Sequence, residues 1–220
     1  MNKTSTRLAL WVSLATLTPM LSGCFPAAVV GVGAGALKVA DRRVSETYLA
    51  DEGIEVRAAK RISEKFGTDT HVNVTSYNRM LLLTGEVQDA ATKAEVEKIA
   101  AGVPNVRSIS NELLIGPASS LSGRGTDTFI TSKVKARFVD YNYFPANKVK
   151  VVTEWGTVFL LGLVTKREAD SAVEIARTTS GVQKVVRLFE IISEDEARRL
   201  DMPAGGDSAP APTPAPAPVK

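Results

Sequence analysis

A chain of 220 residues that is 44% hydrophobic and 23% charged has the balance of a globular protein of one or two small domains. Its formal charge of +3 is too small for a protein that coats nucleic acid, so any electrostatic role must come from a local patch. One cysteine excludes an intrachain disulfide, and one histidine with no Cys, Asp or Glu at ligand spacing beside it leaves no metal motif to read.

Lys3 and Arg7 precede an apolar run over residues 8–21, and Leu21-Ser22-Gly23-Cys24 follows. A basic start, a short apolar stretch and small residues before a cut predict a secretory signal over residues 1–23. The run is too short for a good transmembrane helix, which needs about 20 apolar residues. Leu-Ser-Gly-Cys resembles the bacterial lipobox, in which the cysteine is lipidated and becomes the new N-terminus. Cys24 is therefore the expected lipidation site. Removing Lys3 and Arg7 leaves 25 basic against 24 acidic residues, a charge of +1. Phe25 rather than aspartate follows the cysteine, which by resemblance to sorted lipoproteins implies the outer membrane, facing the periplasm.

Residues 24–46 read as a flexible tether, since Gly31, Gly33 and Gly35 weaken both helix and strand. Asp51 or Glu52 is the expected start of a helix over residues 54–66. Ile54, Ala58, Ile62 and Phe66 supply its core stripe, Arg57, Arg61 and Lys65 lie on the adjoining polar face, and Gly67 is its stop. Residues 71–75 alternate and turn at Tyr77-Asn78 into an apolar strand, Met80–Val87. His71 is expected as a surface residue at a strand edge. The pattern continues with a helix at Ala90–Ala101 and a strand over residues 108–115.

This unit occurs twice, and repetition sets the fold before any local assignment. Gly85 and Gly162 lie 77 positions apart in matching apolar strands, Met80–Val87 and Thr157–Val164. In the second copy Thr126-Asp127 is the expected N-cap pair of a helix over residues 128–139, whose core stripe is Ile130, Val134 and Phe138. A loop with Tyr141, Tyr143, Phe144 and Pro145 follows, five residues longer than its counterpart. Then come residues 149–153, a turn at Trp155-Gly156, the Thr157–Val164 strand, a helix over 167–178 and a strand over 185–192. The expected domains are 47–116 and 126–193, joined by a Gly/Ser/Pro-rich linker over 117–125. Each is an α+β unit of two helices on a three-stranded mixed sheet in the order αββαβ. Residues 194–200 predict a helical turn or two without a useful apolar stripe, inside a terminal segment, 194–220, that ends as a disordered Pro/Ala-rich tail.

Leu83-Thr84-Gly85-Glu86-Val87 with Val103-Pro104-Asn105-Val106, and Leu161-Gly162-Leu163-Val164 with Gly181-Val182-Gln183-Lys184-Val185, resemble the BON domain. Two copies behind a lipobox, together with residues 127–135, are similar to the dual-BON outer-membrane lipoproteins associated with division and outer-membrane stress. That resemblance implies a non-enzymatic protein without cofactor. It also implies that the first helix of the second domain binds anionic phospholipid such as phosphatidylglycerol, and that the protein gathers at division sites and preserves the outer-membrane barrier.

Phe129, Lys133 and Arg137 share a helix face offset by one residue from the core stripe. An outward aromatic beside cations suits a membrane interface, and Lys135 is expected to add to the patch. Read without the resemblance, the same residues fit equally a ring packed on the linker with a solvated basic face. The first helix carries Arg57, Arg61 and Lys65 in matching places, so Phe129, set opposite Arg57, is the discriminating residue. The resemblance selects lipid. The competing class is a structural adaptor for envelope proteins or peptidoglycan. An enzyme is disfavoured, because one histidine and a lipidated cysteine offer no nucleophile–base pair or metal set.

Overall fold

A computed structural model describes residues 41–67, 70–141 and 146–202. The signal segment, Cys24, most of the tether, Tyr143, Phe144 and Pro145 and the Pro/Ala tail lie outside the described residues. The first domain runs α1 (Ser45–Phe66), β1 (His71–Tyr77), β2 (Met80–Val87), α2 (Ala90–Ala101), β3 (Ser108–Asn111) and β4 (Leu114–Ile115). The second runs α3 (Leu121–Tyr141), a 3-10 turn at Ala146–Lys148, β5 (Lys150–Glu154), β6 (Thr157–Val164), α4 (Lys166–Arg177), β7 (Lys184–Ile191) and α5 (Glu194–Asp201). Both copies therefore have the expected αββαβ order and α+β class. In each sheet the central strand pairs antiparallel with the strand before it and parallel with the one after α2 or α4. The expected strand over 108–115 is broken at Glu112-Leu113, where Leu113 drops into the core and β4 resumes beside the end of β2.

The continuous apolar runs of β2 and β6 follow from burial on both faces. Leu81 and Leu83 join Ile54, Ala58 and Ile62 of α1 in one core, and Val158, Leu160 and Val164 join Ile130, Val134 and Phe138 of α3 in another. The alternate residues turn the other way. Leu82 of β2 and Phe159, Leu161 and Leu163 of β6 meet in a third cluster with Tyr77, Met80 and Ala197. The two domains are thus packed together through the sheet faces that their helices leave open.

The repeat glycines are sites of close backbone approach. A Cβ on Gly85, whose φ is +108°, would stand 2.0 Å from the His71 carbonyl oxygen, and one on Gly162 would stand 2.6 Å from that of Lys148.

Three expectations change. Asp51 and Asp127 are neither helix starts nor N-caps, because α1 begins six residues before Asp51 and α3 six before Asp127. Instead each carboxylate turns inward and holds its own hairpin. Asp51 accepts from Asn78 N (2.8 Å), Arg79 N (2.7 Å) and Ser76 Oγ (2.7 Å), and Asp127 accepts from Trp155 N (2.9 Å) and Gly156 N (2.8 Å). These donors sit at turns with positive φ at Asn78, Arg79, Trp155 and Gly156, so the carboxylates satisfy amides that the ladder cannot. Second, the segment read as a linker is helical from Leu121 onward. Third, residues 194–200 do matter. Ala197 and Leu200 pack into the third cluster, and Asp201 bonds Arg42 Nε (2.9 Å) and Lys148 Nζ (2.5 Å). Arg42, just before α1, also donates to Glu168 of the second domain (2.6 and 2.9 Å). The tether is therefore clipped to the second domain before the first domain begins.

Candidate functional site: the outward side of the third helix

The core stripe of α3 (Ile130, Val134, Phe138) and the clamp Asp127 take the inward side. At 100° per residue the opposite side carries Leu121, Gly125, Thr128, Phe129, Ser132, Ala136 and Val139, and all seven are exposed. Leu121 is 81%, Phe129 64% and Val139 66% accessible. This ridge of apolar and small residues runs about 27 Å along the helix at 1.5 Å per residue. α3 is thus apolar on two opposite sides, which a helix covered only by water has no reason to be.

Cations border the ridge on both flanks. On one, Lys133 Nζ lies 4.9 Å from the Phe129 ring centroid and donates to the Ser180 carbonyl. Arg137 Nη1 donates to Ile175 O (2.8 Å), Thr178 Oγ1 (3.1 Å) and Thr179 Oγ1 (2.8 Å). Both therefore brace the C-terminal end of α4, where orphan carbonyls attract positive charge. Lys135 does not join them. It stands about 160° around the helix from Lys133 and borders, with Val139, a cleft of about 470 Å³ shared with Arg43, Tyr48 and Lys150. On that second flank Arg124, which donates to Ser119 O at 3.3 Å, lies on the same side about three turns earlier. Between Leu121 and Val139 the one acid is Asp127, buried against the hairpin.

The paired clamps also correct the register between the copies. With Asp51 matched to Asp127, Phe129 stands opposite Gly53, Lys133 opposite Arg57 and Arg137 opposite Arg61. Arg61 Nη1 accordingly donates to Gly102 O (2.7 Å) at the end of α2, the same bracing contact that Arg137 makes. The sequence hides Leu121 and Arg124, because the glycine and serine around them signal a linker. The available signal was Leu121 at eight residues from Phe129, one helical face.

His71 is likewise not a simple surface residue. It is partly buried, its Nδ1 is 2.8 Å from Glu86 Oε2, and Glu154 lies close by.

The BON domain model matches residues 51–117 and again 126–193. The chain belongs to the BON family. This BON protein is 37% identical over 178 residues to the outer membrane lipoprotein DolP of Haemophilus influenzae, covering 80% of this chain and 92% of that one. It is 32% identical over 154 residues to a 21 kDa hemolysin of Actinobacillus pleuropneumoniae, covering 69% and 79%. It is 34% identical over 119 residues to the osmotically-inducible protein Y of Escherichia coli, covering 53% and 59%. Among the described residues of the BON protein no helix is long and apolar enough to cross a membrane.

Proposed function

We propose that this BON protein is an outer-membrane lipoprotein, held by acyl chains on Cys24 and facing the periplasm, whose α3 docks on anionic phospholipid. The observation that carries the docking is the exposed Leu121–Phe129–Val139 ridge, flanked by Arg124 and Lys135 on one side and Lys133 and Arg137 on the other. An apolar ridge sinks to the headgroup–acyl boundary while flanking cations meet lipid phosphate, each contributing about 1 kcal/mol near an anionic surface. Phe129 is the central anchor, because Lys133 lies against its ring and carries charge to the same depth. The lipobox at Leu21-Ser22-Gly23-Cys24 and the relative named as an outer membrane lipoprotein support the anchor. Each buried CH₂ of an acyl chain adds about 0.8 kcal/mol, so the lipid holds the protein at the membrane and α3 sets its orientation there. The role is non-catalytic and serves envelope integrity, at division sites by the likeness of its domains and lipobox to the dual-BON lipoproteins.

The test uses the soluble chain from residue 25 to 202, which retains Arg42 and Arg43, with vesicles of phosphatidylglycerol or of a zwitterionic lipid. Binding should require the anionic lipid, weaken with added salt, and fall at least tenfold in Phe129→Glu with the melting temperature unchanged. Binding that Phe129→Glu leaves intact would sink the lipid reading. Capture of a specific envelope protein by that variant would then favour the adaptor.

A further inference from the structure

The only histidine of the chain stands where the two BON domains meet. His71 opens β1 with Glu86 as its cross-strand partner on β2, and Glu154 ends β5 of the second domain. One imidazole nitrogen and one carboxylate oxygen from each glutamate all lie within 4.8 Å of one another. Glu86 is 2% and Glu154 7% exposed, while His71 reaches the rim. Both carboxylates are also held from behind. Trp155 Nε1 donates to Glu86 Oε1, Ser119 N donates to Glu86 Oε2 (3.0 Å), and Asn73 Nδ2 donates to Glu154 Oε2 (3.0 Å). Outer donors of this kind orient ligating carboxylates in metal sites.

Two buried carboxylates, one from each domain, and one imidazole thus converge on a single point where the domains meet. One nitrogen and two carboxylate oxygens are a donor set that suits Zn²⁺, whereas Ca²⁺ and Mg²⁺ take oxygen cages.

We propose that His71, Glu86 and Glu154 form a divalent-metal site, suited to Zn²⁺, that staples the two BON domains. Two ligands come from the first domain and one from the second, so metal binding couples directly to domain packing. With metal–ligand bonds of about 2.0–2.2 Å, tetrahedral ligands stand roughly 3.3 Å apart. The His71–Glu86 pair opens by about half an ångström from its 2.8 Å separation to meet that spacing, and Glu154 closes by rotation. Water takes the fourth position. The site is independent of the lipid reading.

The experiment takes the soluble chain of residues 25–202, stripped with a chelator, and titrates it with ZnCl₂ by calorimetry, with Co²⁺ as a visible-absorption probe of a tetrahedral site. One Zn²⁺ per chain should bind and raise Tm. His71→Gln and Glu154→Gln should each lose more affinity than Trp155→Phe, which removes only an outer donor and should cost about 10-fold. The proposal is overturned by failure of the wild type to take up one Zn²⁺, or by uptake that His71→Gln leaves unchanged. Should His71→Gln not fold, the wild type decides. Tetrahedral Co²⁺ bands that Zn²⁺ displaces sustain the site, and their absence overturns it.

Discussion

On α1 the outward side places Glu52 among Leu49, Val56 and Lys60, whereas α3 shows no exposed acid from Leu121 to Val139 and its first is Asp140, opposite Glu64. α1 neutralises its own charge and that of its neighbour, with Lys60 3.8 Å from Glu64 and Lys65 2.5 Å from Glu95. The inward sides are alike. Each helix sends three apolar residues to its sheet, an aspartate to its hairpin and an arginine to the end of the next helix. Duplication therefore preserved the scaffold contacts and left the water-facing side free to diverge. A functional surface should be sought among residues the copies do not share.

The repeat can be tested pairwise. The largest effect is expected at the paired glycines. Gly85→Ala meets both a positive φ and a carbonyl oxygen at 2.0 Å, so backbone strain and overpacking together should cost on the order of 4 kcal/mol. Gly162→Ala, facing the Lys148 carbonyl at 2.6 Å, should cost about half as much. Denaturant midpoints measure both, and equal costs would show that the positive φ and closer carbonyl at Gly85 add no strain.

Next comes Glu168, which has no counterpart in the first domain. Burial opposes its charge, but Arg42, then Thr165 N and Lys148, prevail and hold it below the ordinary carboxylate range. A depressed carboxylate stabilises the fold above its unfolded pKa, and that stability is lost as pH falls through its folded pKa. Glu168→Gln keeps the capping box with Thr165 yet leaves Arg42 short of a charge partner, so it should cost about 3 kcal/mol at neutral pH. The gap to wild type should close progressively as pH falls below the ordinary carboxylate value of 4.5, and a gap constant with pH would show that the pair contributes only packing.

The clamps should differ as well. Asp51 serves two turn amides, Ser76 and Arg43 (2.8 Å), whereas Asp127 is seen to serve Trp155 N and Gly156 N. Asp127→Ala should cost about 2 kcal/mol and Asp51→Ala more, because buried amides lose a charged acceptor. Thermal unfolding decides it. The smallest effect is at the surface. Lys135→Gln should weaken phosphatidylglycerol binding by about 1 kcal/mol, roughly fivefold, while Lys60→Gln on α1 leaves it unchanged. Vesicle sedimentation at low salt separates them, and equal losses would erase the distinction between the two helices.

Local pattern determined a good deal of this molecule. The strand bounds of β2 and β6, the span of α2 and the repeat itself were legible, because apolar runs and three- to four-residue spacing record which side of an element is buried. Phe129 was legible as exposed, being one residue off the core stripe. Glycine and serine concealed the first turns of α3. Their local preference for a loop yields to continuation from a helix already held by Ile130, Val134 and Phe138, and Leu121 and Arg124 were hidden with them. The roles of Asp51 and Asp127 were misread, since an aspartate early in a helix has the same local signature whether it caps its own amides or reaches a turn more than 25 residues away. Only tertiary structure decided that the two sheets meet, that Arg42 clips the tether to Glu168 and Asp201, and that His71, Glu86 and Glu154 converge. Those groups are 15 to 159 residues apart in sequence. Spacing within an element carries no information about what a second domain will bring against it.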